Sequence, residues 1–265
     1  MIQTLLYFLV AIGATTAGSM TGMGGGVIIK PVLDLLHEFD VQTIGVLSSI
    51  TVLSMSVVSI GKQVIAKTKI PFETAIPIST GSVAGGLLGQ WMLSAIVAAL
   101  RLDRLVTVVQ NVLLSLLILA VYVYMYMRNK GKIKGLVLGG IPVTLLTGVF
   151  LGVCSSFLGI GGGPINVALV IYLFSYDTKT ATVCSILTIL FAQVSKLTTL
   201  AFTTGFAVYD LSILPTMVVG AIAGGFIGAS FNKKCSEATV ERAFNAVQLL
   251  VLAIAVLNIG RNLIA

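Results

Sequence analysis

The sequence predicts an all-α polytopic membrane protein built from two homologous halves, and three observations support this prediction. Hydrophobic residues make up 57% of the 265 residues and charged residues only 9%, whereas a soluble domain carries about 25% charged residues. Long stretches without any charge recur along the chain, each long enough for the roughly 17–25 residues that span a bilayer as a helix. Inside two of these stretches lies a glycine-rich pentapeptide, first at residues 22–26 and again at 159–163.

The two glycine motifs indicate a duplication of the chain. They are separated by 137 residues (159 − 22), and Asp40 recurs at the same spacing as Asp177. We therefore predict a first membrane repeat over residues 1–130 and a second membrane repeat over residues 131–265, joined by a basic connector.

Each half has the same predicted order of elements. An apolar helix leads into a glycine break, a short apolar segment follows at 27–36 or 164–174, and three long helices complete the half. Charge-free runs supply the long elements, at 41–61, 74–100, 105–127, 135–176, 211–232 and 243–260. No basic residues precede the first apolar run, so we expect an uncleaved membrane segment there rather than a removable signal peptide.

The first short segment is expected to end in a polar turn that carries Asp34, His37, Glu38 and Asp40. On this interpretation no acidic side chain lies within a membrane helix, and the sequence points to no proton carrier. The single histidine and the three cysteines predict no metal centre, no disulfide framework and no protein-bound cofactor.

The distribution of basic residues bears on the relative orientation of the two halves. If each broken helix returns to its starting side, the halves are inverted, and 11 of the 16 lysines and arginines lie inside, including the connector at 128–134. If each broken helix crosses once, the halves are parallel and the division is 9 to 7. The positive-inside rule favours inversion, with both termini outside. The run 135–157 argues the other way, because at about 1.5 Å per residue it is long enough to span alone.

The glycine breaks carry the functional prediction. Each glycine disfavours a helix by about 1 kcal/mol, and hydrocarbon tolerates a break only where protein covers it or where it lines a cavity. A helix broken once in each half is typical of a transporter binding site, because successive glycine amides at the start of a short helix form an anion site. We predict that the substrate is bound by residues of the breaks, by neighbouring polar side chains and by a lysine, namely Ser19, Thr21, Gly22, Gly24, Gly25, Gly26, Ser155, Ser156, Gly159, Gly161, Gly162, Gly163, Asn166, Gln193 and Lys196.

Several of these features have a competing structural interpretation. A dinucleotide-binding loop is excluded, because no strand or soluble βαβ unit surrounds the glycines. Close packing of membrane helices best explains another set of glycines, namely Gly81, Gly85, Gly86, Gly89, Gly220, Gly224, Gly225 and Gly228. Lys196 either adds positive charge to an anion path or snorkels to the headgroups from a helix end. Lys30, Arg104 and Arg242 are expected at the membrane interface.

The pentapeptides GMGGG and GIGGG, the second continuing as PINV, resemble those of the TauE/SafE family of sulfite exporters and organosulfonate permeases. The resemblance extends over essentially the whole chain. It implies a membrane transporter for small sulfur oxyanions or organic anions such as sulfite, sulfoacetate and related sulfonates. One departure is visible, because Pro31 lies five residues after the last glycine of the first motif whereas Pro164 directly follows Gly163. The two breaks are therefore not equivalent.

The sequence thus predicts a multi-pass transporter of the cell membrane that works by alternating access around a central site formed by the two breaks. The alternatives are an intramembrane thiol or lipid transferase using Cys154, for which no base is visible, and a passive anion channel. The expected partners are a small anionic substrate and the lipid bilayer, and the sequence leaves open a homo-oligomer. The net charge is +7, but the basic residues lie in short connectors, as in cytoplasmic loops rather than a nucleic-acid surface.

Overall fold

A computed structural model describes residues 2–68, 70–100, 103–160 and 162–264. These residues form no strand and ten helices, which are α1 (Ile2–Thr21), α2 (Gly26–Leu36), α3 (Val41–Ile65), α4 (Phe72–Leu100), α5 (Asp103–Asn129), α6 (Ile141–Phe157), α7 (Pro164–Phe174), α8 (Thr178–Phe202), α9 (Leu214–Lys234) and α10 (Glu237–Ile264). Six of the described helices, α1, α3, α5, α8, α9 and α10, are long and apolar enough to cross a membrane. The predicted all-helical polytopic membrane fold is therefore confirmed.

A short helix follows each glycine break, and the two short helices end in the same way. Both α2 and α7 contain 11 residues, a length of about 16 Å, which is half of the roughly 30 Å hydrocarbon core. α2 stops at His37 and α7 stops at Ser175, and each of these residues has a φ of 54°. A left-handed residue at this position ends a helix and turns the chain sharply.

The third helix of each half starts at a capping aspartate. The carboxylate of Asp40 accepts a hydrogen bond of 2.9 Å from the amide of Thr43 at the start of α3. The carboxylate of Asp177 accepts one of 3.0 Å from the amide of Thr180 at the start of α8. Such caps satisfy backbone donors that have no partner within the helix. Residues that match in sequence across the 137-residue shift therefore make matching contacts.

The run 135–157 does not form the single spanning helix that its length suggested. α6 begins only at Ile141, where Gly140 has a φ of 98° that favours glycine. Before that point the chain runs beside the end of α7, and the amide of Leu136 donates to the carbonyl of Tyr172 at 2.6 Å. The remaining 17 residues of α6 extend about 25 Å, so the length of this run no longer argues against inverted halves.

Each broken element begins and ends on the same side of the helix bundle. Tyr7, near the start of α1, donates a hydrogen bond to Glu38, which follows α2. In the second half, Leu136 before α6 is hydrogen-bonded to Tyr172 near the end of α7. After each glycine break the chain therefore returns towards the side from which it came.

The two halves interlock through pairs of closely packed helices. α4 of the first half packs along α6 of the second, and α9 of the second half packs along α1 of the first. A Cβ atom on Gly85 would lie 2.0 Å from the carbonyl oxygen of Val149, and one on Gly224 would lie 2.6 Å from that of Ile12. A Cβ atom would also lie within 3.0 Å of a neighbouring helix at Gly81, Gly89, Gly220, Gly225 and Gly228. The packing interpretation is confirmed for these glycines, whereas Gly86 makes only an ordinary contact at 3.4 Å.

Candidate functional site

The two glycine breaks meet inside the helix bundle. A Cβ atom on Gly26 would lie 2.0 Å from the carbonyl oxygen of Ile160, so the backbones of the two breaks are in direct contact. Residues 22–26 are all buried, and the side chains of Met23 and Ile160 around the contact are at most 1% exposed. The contact itself is therefore closed to a ligand.

The first break folds back onto α1, and two of its amides donate hydrogen bonds to a carbonyl of that helix. The carbonyl oxygen of Gly18 accepts from the amide of Gly22 at 2.9 Å and from that of Gly24 at 3.4 Å. Within the described residues, the amides of Gly25 and Gly26 have no hydrogen-bond partner. The break therefore uses the amides of Gly22 and Gly24 internally, and those of Gly25 and Gly26 at the start of α2 are left without this kind of partner.

The second break requires glycine for its backbone conformation. Gly159 has a φ of 66° and Gly162 a φ of 129°, both in the region that glycine adopts readily. The amide of Gly159 donates to the carbonyl of Ser156 at 3.1 Å. A Cβ atom on Gly162 would lie 2.4 Å from the side chain of Ile189. Gly161 lies outside the described residues.

Lys30 is buried beside the second break, so the expectation that it lies at the membrane interface is wrong. Its ammonium nitrogen is 3.0 and 3.2 Å from the two carboxylate oxygens of Asp34, one helical turn away. Because α2 continues to Leu36, Asp34 lies within a helix and is 4% exposed, and its expected position in a polar turn is wrong too. A buried lysine requires such a partner, since an unpaired charge is costly away from water.

Lys196 is the second buried ammonium group of this region. It is 3% exposed, and its Nζ donates to the carbonyl oxygen of Gly45 on α3 at 3.3 Å. No carboxylate within the described residues forms an ion pair with it. Lys196 is therefore enclosed by protein and does not extend to the headgroups.

Both lysines line one cavity next to Gly159. Most of the remaining polar wall comes from Gln42, Gly45, Gln90, Ser94, Gln110 and Tyr209. In the described part of the chain, the Oε1 atoms of Gln90 and Gln110 are buried without a hydrogen-bond partner. The cavity volume is about 20 Å³, which is room for one water molecule. The cavity must therefore widen before it admits an ion of several atoms.

Among the predicted site residues, Gly159 and Lys196 are brought together at this cavity. The predicted hydroxyl groups before the first break have other partners, because Ser19 Oγ lies 2.6 Å from Ser59 Oγ and Thr21 donates to a carbonyl of its own helix. These two side chains contribute to helix packing.

The predicted uncharged polar side chains of the second half lie outside the cavity. Ser155, Asn166 and Gln193 are buried, and each has an oxygen atom without a hydrogen-bond partner in the described part of the chain. A Cβ atom on Gly89 would lie 3.1 Å from that of Ser156, which places Ser156 between packed helices.

Sequence reasoning missed the contribution of Lys30 to the cavity wall. The available signal was a lysine and an aspartate four residues apart in an apolar segment.

The charges occupy only one of two equivalent positions. At the 137-residue shift, Lys30 corresponds to Val167. A Cβ atom on Gly159 would lie 3.1 Å from Lys30 Cε, and a Cβ atom on Gly22 would lie 3.0 Å from the side chain of Val167. Lys196 likewise corresponds to a serine. The contact between break and short helix is thus repeated, but the lysine is not.

The chain resembles known membrane proteins along most of its length. The family model described as Sulfite exporter TauE/SafE matches residues 7–256. The Probable membrane transporter protein YunE of Bacillus subtilis (strain 168) is 24% identical over 261 residues, which cover 90% of this chain and 92% of that relative. No solved structure matches the chain.

Proposed function

Because the chain belongs to the sulfite exporter TauE/SafE family of membrane transporters, we propose that it carries small sulfur-containing anions across the cell membrane. Sulfite, sulfoacetate and related organosulfonates are the proposed substrates. The observation that carries this proposal is the buried ammonium group of Lys196, which faces a cavity and has no ion-pair partner among the described residues. Burying such a charge is costly unless an anion compensates it during the transport cycle.

The proposed mechanism is alternating access between two inverted repeats, the first and second membrane repeats defined above. The arrangement of α5 and α10, which are equivalent helices, supports inversion. Asn129 at the end of α5 donates to Glu241 at the start of α10, and Asn111 early in α5 contacts Asn258 late in α10 at 3.5 Å. The two helices therefore run in opposite directions, as equivalent helices of inverted repeats do.

The glycine breaks are the proposed moving parts and amide donors of the site. Gly159 lines the cavity, and its break rests on Gly26 of the other half. A shift between the two breaks would change the width of the cavity, whose volume of about 20 Å³ has room for one water molecule. Such a shift would also bring the amides at the start of α2 nearer to an anion bound between Lys30 and Lys196.

Flux into proteoliposomes tests the proposal directly. Purified protein is reconstituted, and uptake of sulfite and sulfoacetate is compared with uptake of acetate and with protein-free vesicles. Saturable uptake that is accelerated by the same anion on the opposite side is the expected result. Uptake that never saturates would indicate a channel, and chemical change of a thiol or lipid without any flux would indicate an enzyme. Either outcome would overturn the proposed transport mechanism.

A further inference from the structure

We infer that the cavity selects anions with a single negative charge, and that Asp34 sets this selectivity through its ion pair with Lys30. The inference rests on the proposed function, because it concerns the same anion site. The site favours hydrogen sulfite and monosulfonates over dianions, namely sulfite, sulfate and, among the proposed substrates, sulfoacetate, whose carboxylate adds a second negative charge.

The charge balance around the cavity is the first observation. Lys30 and Lys196 contribute two ammonium groups to the wall, and the carboxylate of Asp34, bonded to Lys30, offsets one of them. Three further ionic groups described near the end of α2 are solvent-exposed, namely Glu38, which is bonded to Tyr7, Asp40, which caps α3, and Arg261, which donates to a carbonyl of α2. Water screens these exposed charges. Among the described side chains, the buried part of the site therefore holds one net positive charge.

One net positive charge matches one negative charge on the ligand. Once the cavity has widened, a monoanion bound between the two lysines leaves the buried groups neutral, whereas a dianion leaves one uncompensated negative charge away from water, which is costly. Interactions between charges are also stronger in the protein interior than in water. The difference between the two ligands is therefore much larger here than at a surface site.

The hydrogen bonds of Asp34 keep its carboxylate in place as the partner of Lys30. Besides Lys30, the side-chain amide of Asn111 donates to Asp34 at 3.4 Å. Asn258 of α10 donates to the carbonyl of Pro31 at 2.8 Å and so holds α2 against α10. Each contact of the carboxylate comes from a donor, as an ionised acid requires.

The unpaired acceptor atoms in the wall are the second observation. The Oε1 atoms of Gln90 and Gln110 have no donor within the described residues, although both side chains line the cavity. Hydrogen sulfite carries a proton that it can donate to such an oxygen, and a sulfite or sulfate dianion carries none. These acceptors therefore favour hydrogen sulfite over the sulfite and sulfate dianions.

Sulfate and methanesulfonate provide a matched pair of probes, because both are small tetrahedral ions and they differ in charge at one fixed pH. Calorimetry on the purified full-length protein is expected to show methanesulfonate bound at least about tenfold more tightly than sulfate. Asp34→Asn keeps the shape of the side chain and raises the net charge by one, so it should shift this ratio towards sulfate by about tenfold or more. Asp210→Asn is the control, since Asp210 is exposed in the loop before α9, and it should leave the ratio unchanged.

A double variant keeps the proposal testable if Asp34→Asn does not fold. Lys30→Gln combined with Asp34→Asn removes the ion pair but keeps one net positive charge on Lys196, so the preference for methanesulfonate should persist. Equal binding of both probes by the wild type, or an unchanged ratio in folded Asp34→Asn, would overturn the charge selectivity alone. Binding of neither probe by the wild type would instead overturn the anion site itself.

Discussion

Gly26 and Ile160 come from opposite halves of the chain, yet a Cβ atom on Gly26 would lie 2.0 Å from the carbonyl oxygen of Ile160. The neighbour is backbone, and it belongs to the other glycine break, so neither side can move without shifting a whole segment. This contact couples the position of one break to the position of the other.

Gly26→Ala is therefore expected to destabilise the protein by about 1–3 kcal/mol, the usual cost of overpacking. Gly13→Ala is the matched control, because a Cβ atom there meets nothing within 4 Å, and the change should be neutral or stabilising by up to about 1 kcal/mol. Thermal unfolding of both variants in the same detergent measures the difference. Equal stability of the two variants would show that the two breaks are not tightly packed against each other.

Replacing Lys196 by glutamine should reduce transport of the proposed anions at least about tenfold, since truncating a buried charge contact costs about 2 kcal/mol or more. Expression and folding should be retained, because the lost contact is a single hydrogen bond to a carbonyl of α3. Proteoliposome uptake measures the effect, with Lys130→Gln in the exposed connector as the control. Normal uptake by Lys196→Gln would remove the lysine from the anion path.

The basic connector 128–134 is expected on the cytoplasmic side, with both termini outside. The test introduces Lys130→Cys into a chain whose three native cysteines are replaced by alanine. An impermeant thiol reagent should modify this cysteine only after the cells are opened. Rapid modification in intact cells would reverse the orientation.

Asp40→Ala and Asp177→Ala should each cost about 1 kcal/mol of stability, because each removes the same helix cap. Similar losses would support the equivalence of the two halves, and a loss at only one site would count against it. Chemical denaturation of the two variants in one detergent compares the losses.

The cap at Asp177 also predicts a dependence of stability on pH. Partial burial raises the pKa of the Asp177 carboxyl, but hydrogen bonds from Thr180 and Lys179 outweigh it and hold that pKa below the ordinary value of 3.8. The stabilisation is therefore fully present above pH 3.8 and is lost as the pH falls through the lowered pKa. Asp177→Ala should lack this acid-dependent loss, and unfolding midpoints measured across the acidic range would reveal it.

The order of the helices could be predicted from the sequence because its signals are local. Apolar runs define the long helices, and clustered glycines define the breaks at 22–26 and 159–163. The start of α6 could not be predicted from the apolar run alone, because residues 135–140 are equally apolar but run beside α7. Hydropathy does not distinguish a helix from a non-helical segment that is hydrogen-bonded to a neighbouring helix.

The candidate site was predicted only in part, because it depends on contacts between distant segments. Lys196 was identified, since a lone lysine in an apolar helix is unusual in any context. The burial of Lys30 and its pairing with Asp34 depend on the packing of α2 against α10 and on the hydrogen bond from Asn111 of α5 to Asp34. The sequence of a short apolar segment is equally compatible with a buried and with an interfacial lysine. The position of Lys30 could therefore not be predicted from the sequence.

The packing of α1 against α9 also determines when the protein can be completed during synthesis. α1 ends at Thr21 and α9 begins at Leu214, so 192 residues (22 to 213) separate α1 from its partner, an interval of roughly 10–40 s at ordinary rates of translation. Throughout that interval the face of α1 that later receives α9 lacks this partner. The hydroxyl of Thr15 on this face donates to the carbonyl of Ala11 at 2.7 Å. This hydroxyl therefore has a hydrogen-bond partner within α1 even before α9 is made. The arrival of α9 is then the step that allows the first half to reach its final packing.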